Sequence, residues 1–403
     1  MAAKQFMLIA GEASGDTLAA ELVRAIRAAP EVQALEWPPQ FFGAGGARMK
    51  EAGVELAFDL TEHAVVGLGE ALQGYFKFRA FFRRLLQQAT ERQPEVVVLV
   101  DFSGFNRRFA AALRQGARGR TGPFHNWQPK IVYYVSPQVW ASRPGRAFSL
   151  ARDVDLLLSV IPFEKEWYAA RVPGLRVEFV GHPLVERYAA FAGGAGRAKR
   201  RPGLPLVVVL PGSRRGELDR HLPVMLPAAQ QIAARGPAWI RLVLPNDALA
   251  ARAGDFARAC LPEVEIQAGG LAESLAEAEL AIASTGTVTL ECAFFGVPTV
   301  AIYKTSWLTY HVAKQIIQVK FLAMPNLLAG EAIYPELIQN AAAADNIARE
   351  ALVLLNNPEL RAAVKAKLAK VVESLGAPGA SARAAKAVLR LCGADSDFGG
   401  TRV

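Results

Sequence analysis

Two doubly wound α/β domains of the Rossmann-like type, facing across a deep cleft, are the fold class this sequence predicts, and three observations predict it. Short Val/Ile/Leu-rich runs alternate with helical periodicity along almost the whole chain, the pattern of parallel sheets covered by helices. The alternation breaks at FAGGAGRAKRRPGLP (191–205), which is rich in Gly, Pro and basic residues and has no apolar periodicity. Each half opens in the same way, with a strand, a glycine-bounded turn and a helix: LIAGEASGDTL at 8–18 and LVVVLPGSRRGE at 206–217. A length of 403 residues suits two domains.

In the first half the expected strands are QFMLIA, QFFGA, EVVVLVD, KIVYYVS, DLLLSV and VEFVG, with helical periodicity over residues 17–28, 69–91 and 106–116. After LVVVL the second half continues with WIRLVLP, VEIQ, ELAIAS and PTVAIY. The tail reads as helical to Cys392, with Pro358 and Gly376 as breakers. The expected division is a first domain at 1–190, a linker at 191–204, a second domain at 205–345 and C-terminal helices at 346–403 that are candidates to pack back on the first domain. A site is expected outside the C-terminal ends of both sheets, between the domains.

Composition narrows the classes. With 52% hydrophobic and 21% charged residues the chain has material for real cores, which excludes a disordered protein. Cys260, Cys292 and Cys392 are far apart and odd in number, so they read as reduced thiols of a cytoplasmic protein. His63, His125, His182, His221 and His311 stand singly, so no metal cluster is expected. The opening MAAKQFMLIAGE is too short in its apolar part for a signal peptide, and no clean apolar run is long enough to span a bilayer. Net charge of +9 points to anionic partners: nucleic acid, an anionic membrane surface or phosphorylated substrates. Charge tuned for solubility is the plainer alternative. Nucleic acid ranks low, because the basic residues are not interleaved with a recognition module.

The turns carry the chemistry. In LPGSRRGE, Gly212 permits close backbone approach, Ser213 and the local amides can donate to phosphate oxygens, and Arg214 and Arg215 add charge-assisted contacts. In ASTGTVTLE, Thr285, Gly286 and Thr287 open a helix as an anion site, and Glu291 follows Thr287 by one turn, where it suits a ribose diol. An ordinary capped helix with a surface Glu is the competing reading. The first domain's turn is instead acidic. Glu12 and Asp16 would repel phosphate, so they read as sugar-hydroxyl ligands or helix caps, with Ser14 and Gly15 giving close approach. Asp101 ends the apolar strand EVVVLV, a usual place for a functional side chain, although a turn or capping role competes; Asn106 is a candidate cap for the helix that follows. Ser136, Gln138 and Trp140 form a loop suited to stacking on and hydrogen bonding a sugar, unless Trp140 is core. His182 sits at a strand end and is by prior structural. Over residues 64–86, apolar Phe76, Phe78, Phe81 and Phe82 lie among Lys77, Arg79, Arg83 and Arg84; an interfacial membrane helix or acyl groove competes evenly with a buried helix whose arginines snorkel.

Taken together, GEASGD (11–16), VDFSGFN (100–106), YYVSPQVWA (133–141), FEKEWY (163–168), GHPL (181–184), LPGSRRGE (210–217), TGTVTLE (285–291) and MPNLLAG (324–330) resemble, in order, the lipid-A-disaccharide synthase family of GT-B glycosyltransferases. The resemblance implies transfer of diacylglucosamine from UDP-2,3-diacylglucosamine to 2,3-diacylglucosamine 1-phosphate. The products are a β-1,6-linked disaccharide and UDP, with inversion. It implies a peripheral protein on the cytoplasmic face of the inner membrane, without a cofactor or bound metal; whether it is a homodimer stays open. Asn326 enters the substrate site through this resemblance. An inverting displacement needs one general base, for which Asp101 is the first choice and Glu12, Asp16 and His182 follow; Arg214, backed by Ser213 and the 285–287 amides, would stabilise the leaving diphosphate. Ser142 stands where the family often has a second Trp, and Gly104 where some members carry an Asp. The rivals are another GT-B sugar-nucleotide enzyme, such as a UDP-GlcNAc 2-epimerase, and a non-catalytic nucleotide-binding protein of the membrane surface.

Overall fold

A computed structural model describes residues 4–61, 71–118, 126–191 and 203–393, and of residues 71–76 and 118 the backbone alone. The linker expected at 191–204 lies almost entirely outside the described residues. The chain divides into two units, Met1–Pro183 with Gly376–Val403, and Leu184–Leu375. In chain order the first unit holds β1 (Gln5–Ala10), α1 (Ala13–Ala28), α2 (Pro30–Gln33), β2 (Gln40–Gly45), α3 (Ala47–Glu51), β3 (Glu55–Asp59), α4 (Ala71–Arg92), β4 (Val96–Val100), α5 (Ser103–Arg118), β5 (Lys130–Tyr134), α6 (Val139–Ser142), α7 (Arg146–Asp153), β6 (Leu156–Ser159), α8 (Glu164–Ala169) and β7 (Val177–Phe179). After α9 (Pro183–Arg187), the second holds β8 (Leu206–Leu210), α10 (Arg215–Arg235), β9 (Trp239–Leu244), α11 (Asp247–Cys260), β10 (Glu265–Ala268), α12 (Leu271–Glu277), β11 (Leu280–Ser284), α13 (Thr287–Phe294), β12 (Thr299–Tyr303), α14 (Trp307–Ile316), α15 (Met324–Ala329), β13 (Glu336–Ile338), α16 (Ala344–Asn356) and α17 (Pro358–Ser374). The chain returns to the first unit as α18 (Ala380–Gly393), which packs on α1.

Each unit is one parallel sheet. The strand order is β3-β2-β1-β4-β5-β6-β7 in the first and β10-β9-β8-β11-β12-β13 in the second. The central strands VVVLV of β4 and LVVVL of β8 are buried at every position, because a parallel sheet covered by helices on both faces hides both sides of each strand. In α1, buried Asp16, Ala19, Ala20, Val23 and Ile26 recur at three- and four-residue steps and define the face laid on the sheet. In each sheet the order reverses once, between β1 and β4 and between β8 and β11, so each unit opens a crevice at those strand ends.

The boundary between the units falls at Pro183 rather than residue 190. Leu184 and Tyr188 are buried in the second unit's core, so residues expected in the first domain belong to the second. Of the C-terminal helices, α16 and α17 pack on α10 and α13 of the second unit.

One carboxyl lies inside the first unit. Glu164 is 0% exposed. Its Oε1 accepts the Trp140 indole N–H at 2.8 Å, and Ser136 hydrogen-bonds the Tyr168 hydroxyl at 3.0 Å in the same cluster. The Ser159 hydroxyl has one proton and two acceptors, the Ile161 carbonyl at 2.7 Å and Glu164 Oε2 at 2.5 Å. A proton on Oε2 resolves this: the acid donates to Ser159, and Ser159 donates to Ile161. Burial pushes the carboxyl up to about 7 from an ordinary 4.5, against the hydrogen bonds that Ser159 and Trp140 would donate to the ionised form.

This carries a sign. The folded protein keeps the proton until about pH 7 and the unfolded chain releases it near 4.5, so stability is lost as pH rises through that window. Glu164→Gln, which copies the neutral acid's acceptor and donor, should flatten this slope and keep wild-type stability on the acid side. Glu164→Ala should cost about 1–3 kcal/mol by leaving the Trp140 N–H buried without an acceptor. Urea unfolding across the pH range reads both.

Candidate functional site

The turn after β4 is the most constrained point of the first unit. Asp101 and Phe102 both take left-handed backbone, with φ of 48° and 44°, which disfavours any residue but glycine. Hydrogen bonds hold it there. The Tyr133 hydroxyl donates to the Asp101 carbonyl at 2.7 Å, and the Asp101 N–H donates to the Tyr134 carbonyl at 2.9 Å. Asn106, expected to cap α5, lies within that helix and is fully buried; its Nδ2 donates to the carbonyls of Val100 and Asp101. The Phe102 ring lies across the end of β1, where a Cβ at Gly11 would collide with it. Asp101 thus sits half-buried at the C-terminal end of β4, on one side of the β1/β4 crevice.

Glu12 stands on the other side. It occupies the N-cap position of α1 with extended backbone and is half-buried; it makes no side-chain cap bond. Ser14 is exposed in the first turn. Gly15 is buried against β4, and a Cβ there would make only ordinary contact, at 3.5 Å from the Val100 carbonyl; the glycine that close packing requires is Gly11.

Asp16 departs from expectation. It is 4% exposed, and its carboxylate accepts three backbone N–H groups: Gly46 at 2.7 Å, Arg48 at 2.9 Å and Met49 at 3.1 Å. It pins the start of α3 to α1, which leaves it neither a sugar ligand nor a base. Trp140 and Ser136 are corrected likewise. Both are buried in the Glu164 cluster, so neither presents a surface for sugar stacking or binding. Gln138 of the same loop is exposed, just after Val135, a β-branched residue at φ 66°. His182 is half-buried beyond β7.

The aromatic helix finds its partners inside the first unit. Phe81 stacks on Phe58 with centroids 4.2 Å apart, and Phe82 meets Phe105 and Phe109 edge-on. Both rings are half-buried against the core, so the reading of them as a free bilayer-facing surface is corrected. This cluster includes Phe102 and therefore adjoins Asp101. Residues 64–70 and the side chain of Phe76 lie outside the described residues.

In the second unit the two phosphate-type turns flank the β8/β11 crevice. Gly212 has φ 121°, and a Cβ there would run into Glu217, a residue the sequence reading missed. Glu217 Oε2 accepts the Ser213 N–H at 3.0 Å, so that amide is occupied by the protein's own carboxylate. The GSRRGE spacing, a Glu in the first turn of α10, was the available signal. Arg214 is exposed at the N-cap position of α10, 3.9 Å from Glu217. Across the crevice, Thr285 gives its N–H to Ile302, while Gly286 and Thr287 are exposed at the start of α13. Gly286 has φ 144°, and nothing lies within 4 Å of where its Cβ would stand, so a ligand can reach the helix N-terminus.

Glu291 is half-buried one turn on and accepts the Tyr188 hydroxyl at 3.2 Å. Burial raises its pKa; the Tyr188 hydrogen bond and Arg187 oppose this. His221, also missed, ties the rim together. Its Nδ1 lies 2.6 Å from the Pro211 carbonyl and its Nε2 3.2 Å from the Lys304 N–H, a pattern that only the neutral Nδ1–H tautomer satisfies. Asn326 is corrected. It is 0% exposed, accepts the Ile333 and Tyr334 N–H groups, and donates to the Tyr334 carbonyl and Glu336, so every hydrogen-bonding position serves the 322–336 loop. Among the described residues, no group of three or more His, Cys, Asp or Glu is arranged to hold a metal ion, and no helix is long and apolar enough to cross a membrane.

The two acidic residues of the first turn are separable by stability. Asp16→Ala should cost about 2–4 kcal/mol in urea unfolding, because three N–H groups lose their acceptor, and more than Glu12→Ala.

The lipid-A-disaccharide synthetase family model matches residues 6–390. The lipid-A-disaccharide synthase of Geobacter sulfurreducens is 40% identical over 397 residues, 96% of this chain and 97% of that protein. The synthase of Syntrophus aciditrophicus is 36% identical over 97% of this chain and 98% of its own. Solved structures share the fold at low identity. A UDP-GlcNAc 2-epimerase from Neisseria meningitidis bound to UDP-GlcNAc matches with TM-score 0.57 at 10% identity, covering 97% of this chain and 99% of that one. The calicheamicin glycosyltransferase CalG4 matches with TM-score 0.59 at 16%, covering 98% and 100%. These two likenesses speak to the GT-B architecture alone. The family match over nearly the full length, with relatives at this identity, shows that the chain belongs to the lipid-A-disaccharide synthetase family and is a GT-B hexosyltransferase of lipid A disaccharide synthesis.

Proposed function

We propose that the enzyme transfers 2,3-diacylglucosamine from its UDP derivative to 2,3-diacylglucosamine 1-phosphate with inversion, as a peripheral protein on the cytoplasmic face of the inner membrane. The observation that carries the division of labour is the opposite chemistry at the two crevices. The first unit offers Glu12 and Asp101; the second offers Arg214 and the open N-terminus of α13 at Gly286 and Thr287.

In this reading Asp101 takes the proton of the acceptor's 6-hydroxyl as that oxygen attacks the anomeric carbon of the donor. The bond to the UDP oxygen breaks on the opposite face, and the negative charge that gathers there is met by Arg214 and the α13 amides. Glu12 receives acceptor hydroxyls, and Glu291 holds the ribose diol with its ionised carboxylate. The half-exposed rings of Phe78, Phe81 and Phe102, adjoining Asp101, are suited to acyl chains. The strain at Asp101 supports the choice of base, because left-handed non-glycine residues persist where the surrounding structure enforces them and cluster at working sites.

Three outcomes test it. Asp101→Asn should lower transfer by about 10²–10⁴-fold and leave UDP affinity as in wild type; normal turnover would remove Asp101 as base. Arg214→Ala should weaken UDP by about ten- to a hundredfold in calorimetry, the loss of one charge-assisted contact. UDP affinity should fall as pH drops into the mildly acidic range, because burial makes Glu291 take up its proton earlier than a free carboxylate does. Glu291→Gln should bind weakly at all pH values and lose that dependence.

A further inference from the structure

Helix α14 leaves a large part of its apolar surface in water. None of its residues is buried. Trp307 is 73% exposed and Leu308 68%, with Val312 and, just beyond the helix, Ile317 also exposed. At 100° per residue, Trp307, Leu308, His311, Val312 and Gln315 fall within an arc of about 140°. All five are exposed, while Tyr310, Ala313 and Ile316 on the other side are half-buried against the protein. The helix needs no partner to form its first turn, since the Ser306 hydroxyl caps it by accepting the Thr309 N–H at 3.2 Å.

The charge along this segment has one sign. From residue 304 to residue 330 the chain has no Asp or Glu, and it carries Lys304, Lys314 and Lys320. The next carboxylate in the chain, Glu331, is exposed and paired with Lys367 at 2.6 Å, and the one after it, Glu336, is turned inward onto the N–H groups of Leu322 and Ala323. An exposed Trp and Leu on a capped helix flanked by lysines match an anionic lipid interface, where indole and aliphatic groups enter the headgroup boundary and ammonium groups meet lipid phosphates. The helix leaves the C-terminal end of β12, neighbour of β11 in the sheet, and its approach is tied by His221 to the GSRR turn.

We propose that α14, with Lys304, Lys314 and Lys320, is a docking element that seats the second unit on an anionic bilayer. This extends the reading above, in which both substrates are lipids, and assigns the contact to residues outside the aromatic helix α4.

The test is sedimentation with vesicles of phosphatidylethanolamine and phosphatidylglycerol, beside phosphatidylcholine vesicles, on the full chain. Wild type should bind the anionic vesicles and much less the neutral ones. Trp307→Ser with Leu308→Ser should weaken binding at least about tenfold, with unchanged thermal melting and unchanged transfer on detergent-dispersed substrates. Lys314→Gln with Lys320→Gln should weaken binding at low salt and remove most of its salt dependence. Wild-type binding by the Trp307/Leu308 variant overturns the proposal, and so does a wild-type protein that ignores anionic vesicles. If the variant instead lowers the mass seen by light scattering while vesicle binding persists, the face covers a second copy, and the lipid assignment fails. Disaccharide formation in detergent judges the transfer reading separately, because no bilayer is present.

Discussion

The end of β4 is held in a conformation that its own residues disfavour, and much of the first unit's site geometry follows from that. Two adjacent non-glycine residues with positive φ cost on the order of 1–3 kcal/mol each. Asn106 and Tyr133 offset this by holding the carbonyls of Val100 and Asp101, and Gly11 makes room for the Phe102 ring to lie over the end of β1. The result joins the two strand ends that flank the sheet's switch point. It directs the chain so that Asp101 stands at the crevice rim while Phe102 turns into an aromatic cluster with Phe78 and Phe105. A relaxed turn at this place would require no such contacts.

The second unit solves the corresponding problem differently. Its two turns use glycine at the positive-φ positions, Gly212 and Gly286, so there is no non-glycine strain to offset at either. What it needs is alignment, and His221 supplies that by donating to the β8 turn and accepting from the segment after β12. Glycine suits an anion site because backbone must come close to the ligand. A strained side chain suits a base because the carboxylate, rather than the backbone, must be aimed.

The fold class was legible because buried parallel strands are continuous apolar runs, and VVVLV and LVVVL admit few other readings. The rim positions of Glu12, Asp101, Arg214, Gly286 and Thr287 were legible for the same reason: once the strands are known, the residues just past their C-terminal ends are too. The errors share one cause. Asp16, Asn326, Ser136 and Trp140 lie in motif-like stretches and are polar or aromatic, so they read as ligands. Their partners are backbone N–H groups some 30 residues away for Asp16, a loop's own amides for Asn326 and a buried carboxyl for Trp140. Which donors a carboxylate or amide meets is set by loop packing, which no local pattern encodes. Glu164 could not be singled out by type, since FEKEWY offers two glutamates and only tertiary burial tells them apart: Glu164 is buried and Glu166 exposed.

Two segments of similar composition show how little composition decides about lipid contact. Residues 77–86 and 304–317 both mix aromatic or aliphatic residues with lysine or arginine. In α4, rings from β3 and α5 meet Phe81 and Phe82, and Arg84 lies over Phe58, so much of the apolar side is covered within the unit. In α14 only Tyr310, Ala313 and Ile316 are half-buried against the protein, and Trp307, Leu308 and Val312 are left in water. Exposure of that much apolar surface is unfavourable in isolation. The face that folding leaves unmatched, and not the one richest in phenylalanine, is therefore where the chain has most to gain from an external apolar phase.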